Sequence, residues 1–431
     1  MRIAMVSEQA SPLAPPGMVG WGGQNVHVAA LATALARRGH ELTVYTRRDD
    51  ASQPERMISE DGYQVVHVAA GPPKRLPKDE VMPHMTEFAS FLRAEWSREA
   101  PDVAHAHFWT SGIATQLVSR ALGTPTIQTF HVLGAAQHRS RGGPEASPGE
   151  SADGRFRTER AIARAASRVI AASSEEAFEL ARMGVPGTRI SRVPCGVDLD
   201  LFKPPVLRER PAGQRKRIVS VGRLAPEKGF DVAIAAVARI PSADLVIAGG
   251  PEEAGPTHGR EAQRLRSLAR ELGIEQRVHL LGHVPRDRMP ELLHTADAVL
   301  CTPRYESFGM VPLEAMACGV PVVAHAVGGI VDTVIDGVTG VLVPPQRHRQ
   351  LVDALRLVLS RPALAEGWGT AGRDRAVARY SWDQVATETE HAYQHALADQ
   401  AGSPGWNETG QNETGRPSAG APRQLSGRAE Q

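Results

Sequence analysis

Two glutamates, Glu306 and Glu314, are separated by seven residues in the most chemically suggestive stretch of the chain, residues 305–324. The run between them starts as a loop containing Gly309 and Pro312. It becomes an apolar helix ending at Gly319, and an apolar strand over residues 321–326 follows at once. A helix starting near Gly309 points unpaired N–H groups, and the positive end of its dipole, at whatever lies above the sheet. That is a seat for an anionic, phosphate-bearing ligand. An ionised carboxylate only accepts hydrogen bonds, so each glutamate suits a pair of sugar hydroxyls. The plainer alternative is that Glu306 caps the helix and Glu314 is solvated.

Other chemistry-bearing residues sit at comparable places. Arg223 and Lys228 follow a strand predicted over residues 217–221. Arginine can fork onto two phosphate oxygens, and lysine adds a point charge. Together they would neutralise a phosphate-bearing ligand; the alternative is a surface ion pair with Glu227. His131 follows a strand predicted over residues 124–130, at the carboxyl end where parallel sheets bind their ligands. Gly22 and Gly23 stand at the first strand-to-helix turn, where backbone could approach a diphosphate and an acceptor; a tight turn is the alternative. His105 and His107 occupy another strand, with packing as their alternative role.

The elements that must position these residues alternate regularly. Strands are predicted over residues 2–7, 41–46, 63–69, 103–107, 124–130 and 168–172. Helices are predicted over 24–38, 83–98, 111–122, 158–166 and 175–182. In the first helix the apolar residues Val28, Leu31, Ala32 and Leu35 share a face. Residues 139–153 read as a polar, glycine-rich loop. The alternation restarts at residue 217, with strands over 243–248, 278–281, 298–302, 320–326 and 340–344 and final helices over 349–360 and 382–396. This spacing implies doubly wound parallel sheets. The predicted division is residues 1–204, 205–380, a last helix at 381–398 and an unstructured tail at 399–431, with the linker at 208–216. The tail is rich in Gly, Ser, Pro, Asn and Gln.

Composition narrows the class of function. The chain has 431 residues, 42% of them hydrophobic, and a formal net charge of +1. That balance gives no strong field for nucleic acid or acidic membranes. Cys195, Cys301 and Cys318 lie far apart without metal spacing and read as buried thiols of a reducing compartment. The first residues read as a strand, not a signal peptide, and no apolar run approaches the roughly 18 residues of a membrane span. A cytoplasmic protein is expected, with no metal or other cofactor required.

The Glu306-to-Glu314 stretch resembles the Glu-x7-Glu signature of the retaining glycosyltransferases of family four, which have the GT-B fold. Three further segments resemble that family in the same order: Val193-Pro194-Cys195-Gly196-Val197-Asp198, Gly222-Arg223-Leu224 with Glu227-Lys228-Gly229, and Asp336-Gly337-Val338-Thr339-Gly340. The resemblance runs from Met1 to about Ala396. It implies two Rossmann-like domains facing across a cleft, with the last helix crossing back to the first. It implies that Arg223 and Lys228 clamp the donor diphosphate and that the amides of Gly309, Met310 and Val311, beside Phe308, meet sugar and phosphates. Glu306 would face the donor hexose and Glu314 the ribose hydroxyls. Gly23 would approach the donor, and His131 would reach the transferred sugar. His107 and Phe108 would line the acceptor side.

The expected reaction moves a hexose, with retention, from a nucleotide-diphosphate sugar to a hydroxyl acceptor. UDP is the favoured nucleotide, although base contacts in the family are mostly to backbone. The alternatives are a nucleotide-sugar-binding protein without turnover and a GT-B epimerase or phosphorylase. The segment from Gly22 to Val28 resembles the sucrose-phosphate synthases and the inositol-phosphate glycosyltransferases of mycothiol synthesis, and residues 71–80 also resemble the latter. That branch uses a Tyr and a Thr hydroxyl on the acceptor phosphate; Phe108 and Val132 stand at the matching positions and have none. Asp198-Leu199-Asp200 spells a metal motif of the other glycosyltransferase fold and is rejected for its place before the linker.

Overall fold

In the computed structural model, residues 1–13, 23–135, 152–205, 215–250 and 259–401 are described. Gly22, nearly all of the predicted 139–153 loop, the 208–216 linker up to residue 214, and the tail beyond Ala401 lie outside them.

The first half is an eight-stranded sheet in the order β3-β4-β2-β1-β5-β6-β7-β8. Its strands are β1 (Arg2–Val6), β2 (Glu41–Arg47), β3 (Arg56–Ile58), β4 (Gln64–Val68), β5 (Val103–His107), β6 (Thr126–Thr129), β7 (Arg168–Ala171) and β8 (Ile190–Arg192). All pairings are parallel except that of β3 with β4. The helices of this half are α1 (Gly23–Arg37), the short α2 (Lys78–Val81), α3 (Met85–Arg98), α4 (Trp109–Leu122), α5 (Ala152–Ala165) and α6 (Ser174–Arg182).

The second half is a fully parallel six-stranded sheet in the order β11-β10-β9-β12-β13-β14. Its strands are β9 (Lys216–Val221), β10 (Ala243–Ala248), β11 (Val278–Gly282), β12 (Ala298–Cys301), β13 (Val322–His325) and β14 (Gly340–Val343). Its helices are α7 (Phe230–Ala238), α8 (Arg260–Glu271), α9 (Met289–His294), α10 (Met310–Ala317), α11 (Ile330–Thr333), α12 (His348–Ser360) and α13 (Pro362–Arg379). The central strands are buried on both faces, as covered parallel sheets require; β12 and β13 are largely apolar, whereas β5 and β6 bury His105, His107, Gln128 and Thr129.

The last helix, α14 (Trp382–Ala401), packs on α1, β6 and β7 of the first half. Tyr393 and Ala396 enter the same core as Leu31, Leu35 and Ile127. Two strands of chain meet where the halves join: the Val197 amide donates to the Tyr380 carbonyl at 2.7 Å, and Val197 pairs with Ser381. Gly196 is required there, because a Cβ would lie 2.6 Å from the Trp382 ring.

Several elements differ from the sequence-based expectation. Helix α13 was not expected, because apart from Trp368 it buries only small residues, Gly369, Gly372 and Ala376. A Cβ on Gly369 would lie 2.2 Å from the Gly319 carbonyl oxygen, so a close helix approach replaces an apolar stripe. Strands β3 and β8 are three-residue sheet edges with exposed or half-buried residues, and they carry no alternation to read. Helix α14 runs to Ala401, three residues into the stretch expected to be unstructured. Asp399 pairs with Arg168 at 3.3 Å, and Gln400 donates to the Gly123 carbonyl.

Candidate active site

The carboxyl ends of both sheets face one another, and the singled-out residues collect there. On the second half, Gly309 caps α10 in the left-handed conformation (φ 72°) and supplies no capping side chain. The first turn of α10 therefore keeps its N–H groups for another partner. Two ion pairs flank it. Lys228 Nζ donates to Glu306 Oε2 at 2.6 Å, and both side chains are about three-quarters buried. Arg286 Nη1 donates to Glu314 Oε1 at 2.7 Å. Glu314 is buried, and desolvation pushes its carboxyl above the usual carboxylate range despite Arg286. The Arg286 guanidinium also lies 5.0 Å over the Phe202 ring.

Arg223 is placed differently. It is exposed and donates to Glu227 at 3.1 Å, the surface ion pair that was the alternative reading. Lys228 does not share that pair. Val311 packs against the second half's core, while Phe308 and Met310 project toward the first half.

The opposite wall is built from imidazoles. His27 on α1, His105 and His107 on β5, and His131 after β6 are all buried. His107 Nδ1 and His131 Nε2 share a hydrogen bond of 2.9 Å. His105 is held at both nitrogens, by Tyr393 Oη at 2.7 Å and Thr129 Oγ1 at 2.9 Å. Burial lowers His27 to about 4 and His105 to about 3, and His107 well below the ordinary imidazole value, so these three rings are neutral near pH 7. These rings touch face and edge; no group of three or more His, Cys, Asp or Glu among the described residues is arranged to hold a metal ion.

The two walls meet. Phe308 lies 6.0 Å from His27 and 5.5 Å from His131, ring centre to ring centre. A Cβ on Gly23 would lie 2.7 Å from Met310 Sδ, so glycine permits this approach. Phe108 and His131 are the non-glycine residues with positive φ among those described, 78° and 63°. Each follows a central strand, and such backbone concentrates at sites where geometry is over-determined. The Phe108 ring is buried, with the Arg155 guanidinium 5.4 Å away. Arg155 Nε donates to Glu159 at 2.8 Å, and Nη2 donates to the Val132 carbonyl at 2.9 Å.

Sequence reasoning missed Arg286 and His27. Arg286 lies four residues beyond β11, on the same sheet edge as Lys228, and that position was its only signal. His27 stands within the singled-out Gly22–Val28 segment, inside the predicted helix over residues 24–38, but was given no role there. Asp198 accepts from the Asp200 and Leu201 amides, both at 3.0 Å, and closes a turn.

Comparison with known proteins agrees with this architecture. Residues 21–201 match the family described as Glycosyltransferase Family 4, and residues 208–375 match Glycosyl transferases group 1. The chain is 36% identical to a D-inositol 3-phosphate glycosyltransferase of Xylanimonas cellulosilytica, covering 92% of this chain and 97% of the relative. It is 35% identical to one of Kineococcus radiotolerans, over 94% and 97%. Among solved structures, sucrose-phosphate synthase from Thermosynechococcus elongatus superposes with a TM-score of 0.82 at 30% identity, over 92% of this chain and 99% of that one. Anabaena HepE in complex with UDP and glucose shares the fold, with a TM-score of 0.70 at 20% identity over 91% and 99%. The chain belongs to glycosyltransferase family four, in the branch of the sucrose-phosphate synthases and inositol-phosphate glycosyltransferases, and is a retaining glycosyltransferase with the GT-B fold.

Proposed function

We propose that the cleft binds a UDP-sugar through the second half and moves its hexose to a hydroxyl of a small polyhydroxylated ring held by the first. The observation that carries this reading is the pair of ion pairs, Lys228–Glu306 and Arg286–Glu314, flanking the N-terminus of α10 opposite His131. Each cation can exchange its carboxylate for donor phosphate, and each freed carboxylate can accept sugar hydroxyls. Lys228 and the amides of residues 309–311 then neutralise the diphosphate, with Arg223 able to swing in from Glu227. Glu306 orients the hexose, and Glu314 takes the ribose hydroxyls. His131 and the backbone at Gly23 approach from the first half.

As the bond from the anomeric carbon to phosphate breaks, charge grows on the leaving diphosphate. Lys228 and the helix terminus are already aimed there, which is how preorganised donors lower a barrier. The acceptor oxygen bonds to the same face of the sugar, and its proton passes to the departing phosphate oxygen. The buried imidazole wall excludes water that would otherwise hydrolyse the donor.

The acceptor reading draws on the relatives named for inositol 3-phosphate, and on one departure from them. Phe108 and Val132 bring no hydroxyl to the positions matching that branch's phosphate-binding Tyr and Thr, and Arg155 is already engaged by Glu159 and the Val132 carbonyl. A cyclitol whose phosphate is absent, or is a minor handle, fits this wall best. A donor-by-acceptor screen by mass spectrometry tests the proposal, with UDP, GDP and ADP sugars against inositol and its phosphates. Product from UDP-sugar with free inositol supports both parts. No product with any nucleotide sugar removes the proposed site chemistry.

A further inference from the structure

A contact away from the reacting groups ties the two halves together. Helix α6 of the first half starts with Ser173 as its N-cap, whose hydroxyl accepts from the Glu176 amide at 3.2 Å. The next residue, Ser174, reaches across the cleft. Its amide donates to Asp332 Oδ2 at 2.7 Å, and its hydroxyl donates to Asp332 Oδ1 at 2.7 Å. Arg192 Nη1 donates to the same hydroxyl at 3.1 Å. The Asp332 carboxylate thus sits at the positive end of a nine-residue helix. Its backbone is anchored in its own half, where the Asp332 carbonyl accepts from Arg375 at 2.7 Å and from the Tyr380 hydroxyl at 3.0 Å.

The contact continues into the donor loop. Glu175, beside Ser174, accepts from the Gly328 amide at 3.1 Å. Gly328 and Gly329 lie directly under residues 306–308. The Gly329 amide donates to the Glu306 carbonyl at 2.8 Å, and a Cβ on Gly328 would lie 1.9 Å from that oxygen. No slack separates the turn from the loop, so a displacement at α6 is passed to the backbone that carries Glu306.

We propose that Ser174 and Asp332 form an interdomain latch that sets the Glu306 loop, which makes Asp332 a positioning residue for transfer. Opening the latch lowers the fraction of molecules with a complete donor site, and apparent donor affinity falls by that fraction. The inference rests on the donor reading of Glu306 for its kinetic arm only.

The test uses the full-length chain with Ser174→Ala, Asp332→Ala, the double variant and the conservative Asp332→Asn. Small-angle scattering of each protein without added nucleotide judges the latch independently of any activity. Asp332→Ala should show a larger radius of gyration than the wild type. In transfer assays its KM for donor should rise about tenfold while kcat changes little, since saturating donor restores closure. Asp332→Asn, which keeps an acceptor for the Ser174 amide, should recover part of the loss. The double variant should be no worse than Asp332→Ala alone, because both singles remove one shared interaction. An unchanged radius of gyration, or single effects that multiply in the double variant, would overturn the latch. Absence of any transfer by the wild type would count against the donor reading alone, with scattering still deciding the latch.

Discussion

The two walls of the cleft solve opposite electrostatic problems. The second half presents full charges, and each cation is held against a carboxylate within 2.7 Å. The first half presents four buried imidazoles, three of them driven to the neutral form by burial. A charged wall must have partners before and after its ligand arrives, because an unpaired buried charge is expensive. A neutral wall needs no exchange of partners, but it must be kept dry and rigid. The difference teaches that removing a charge from the second half should cost catalysis, while removing a ring from the first should cost geometry and stability.

The largest effect should come from Lys228→Ala. It leaves Glu306 without its cation and removes the charge aimed at the diphosphate, so kcat should fall about 10²- to 10³-fold. Steady-state kinetics with saturating donor measures this. Glu314→Ala should act on binding as well: it strands Arg286, and donor KM should rise at least tenfold. Next in size is His131→Ala, with a loss in kcat/KM smaller than that of Glu314→Ala and nearly unchanged affinity for nucleotide diphosphate, the geometric cost of removing a ring that borders the reacting sugar. Equal losses in both quantities would show that His131 merely props up the fold.

The neutral wall predicts a pH signature. His27 is lowered from 6.5 to about 4 in the fold, so the unfolded chain binds more protons between those values. Stability is therefore full above about pH 6.5 and is lost as pH falls toward 4. The contribution of His27 is on the order of 3 kcal/mol over that window, at 1.36 kcal/mol per pKa unit. Denaturant titrations of the wild type and of His27→Phe, which keeps the ring and loses the titration, should differ in slope across that range. Parallel slopes would show that His27 is not desolvated. The smallest effect should come at the return helix. Arg38 bridges Glu390 and Asp383 on its surface, and Arg38→Ala should cost under about 1 kcal/mol by the same titration. Truncation after Ala398 should cost a comparable amount, because it removes the Arg168–Asp399 pair.

Much of the charged wall was legible because its residues lie close together along the chain. Glu306, Gly309 and Glu314 share one loop and helix, and the glycine that leaves the helix start uncapped is visible as a glycine. His131 was legible from its place after a strand. Arg223 rests on its i,i+4 glutamate, Glu227, and a sequence does not say which of two available partners holds an exposed arginine. Arg286, His27 and the Ser174–Asp332 contact were not legible, since each acquires its meaning from a neighbour on another element. The same holds for α13, whose buried seam of small residues lacks the apolar period that marks a helix.

The central claim is that Lys228 supplies charge to the leaving diphosphate. The most direct measurement is the single-turnover rate of sugar transfer by the wild type and by Lys228→Ala at saturating UDP-sugar and acceptor. The account predicts a variant that still folds and still binds UDP but transfers at least a hundredfold more slowly. A variant that transfers at the wild-type rate would contradict it.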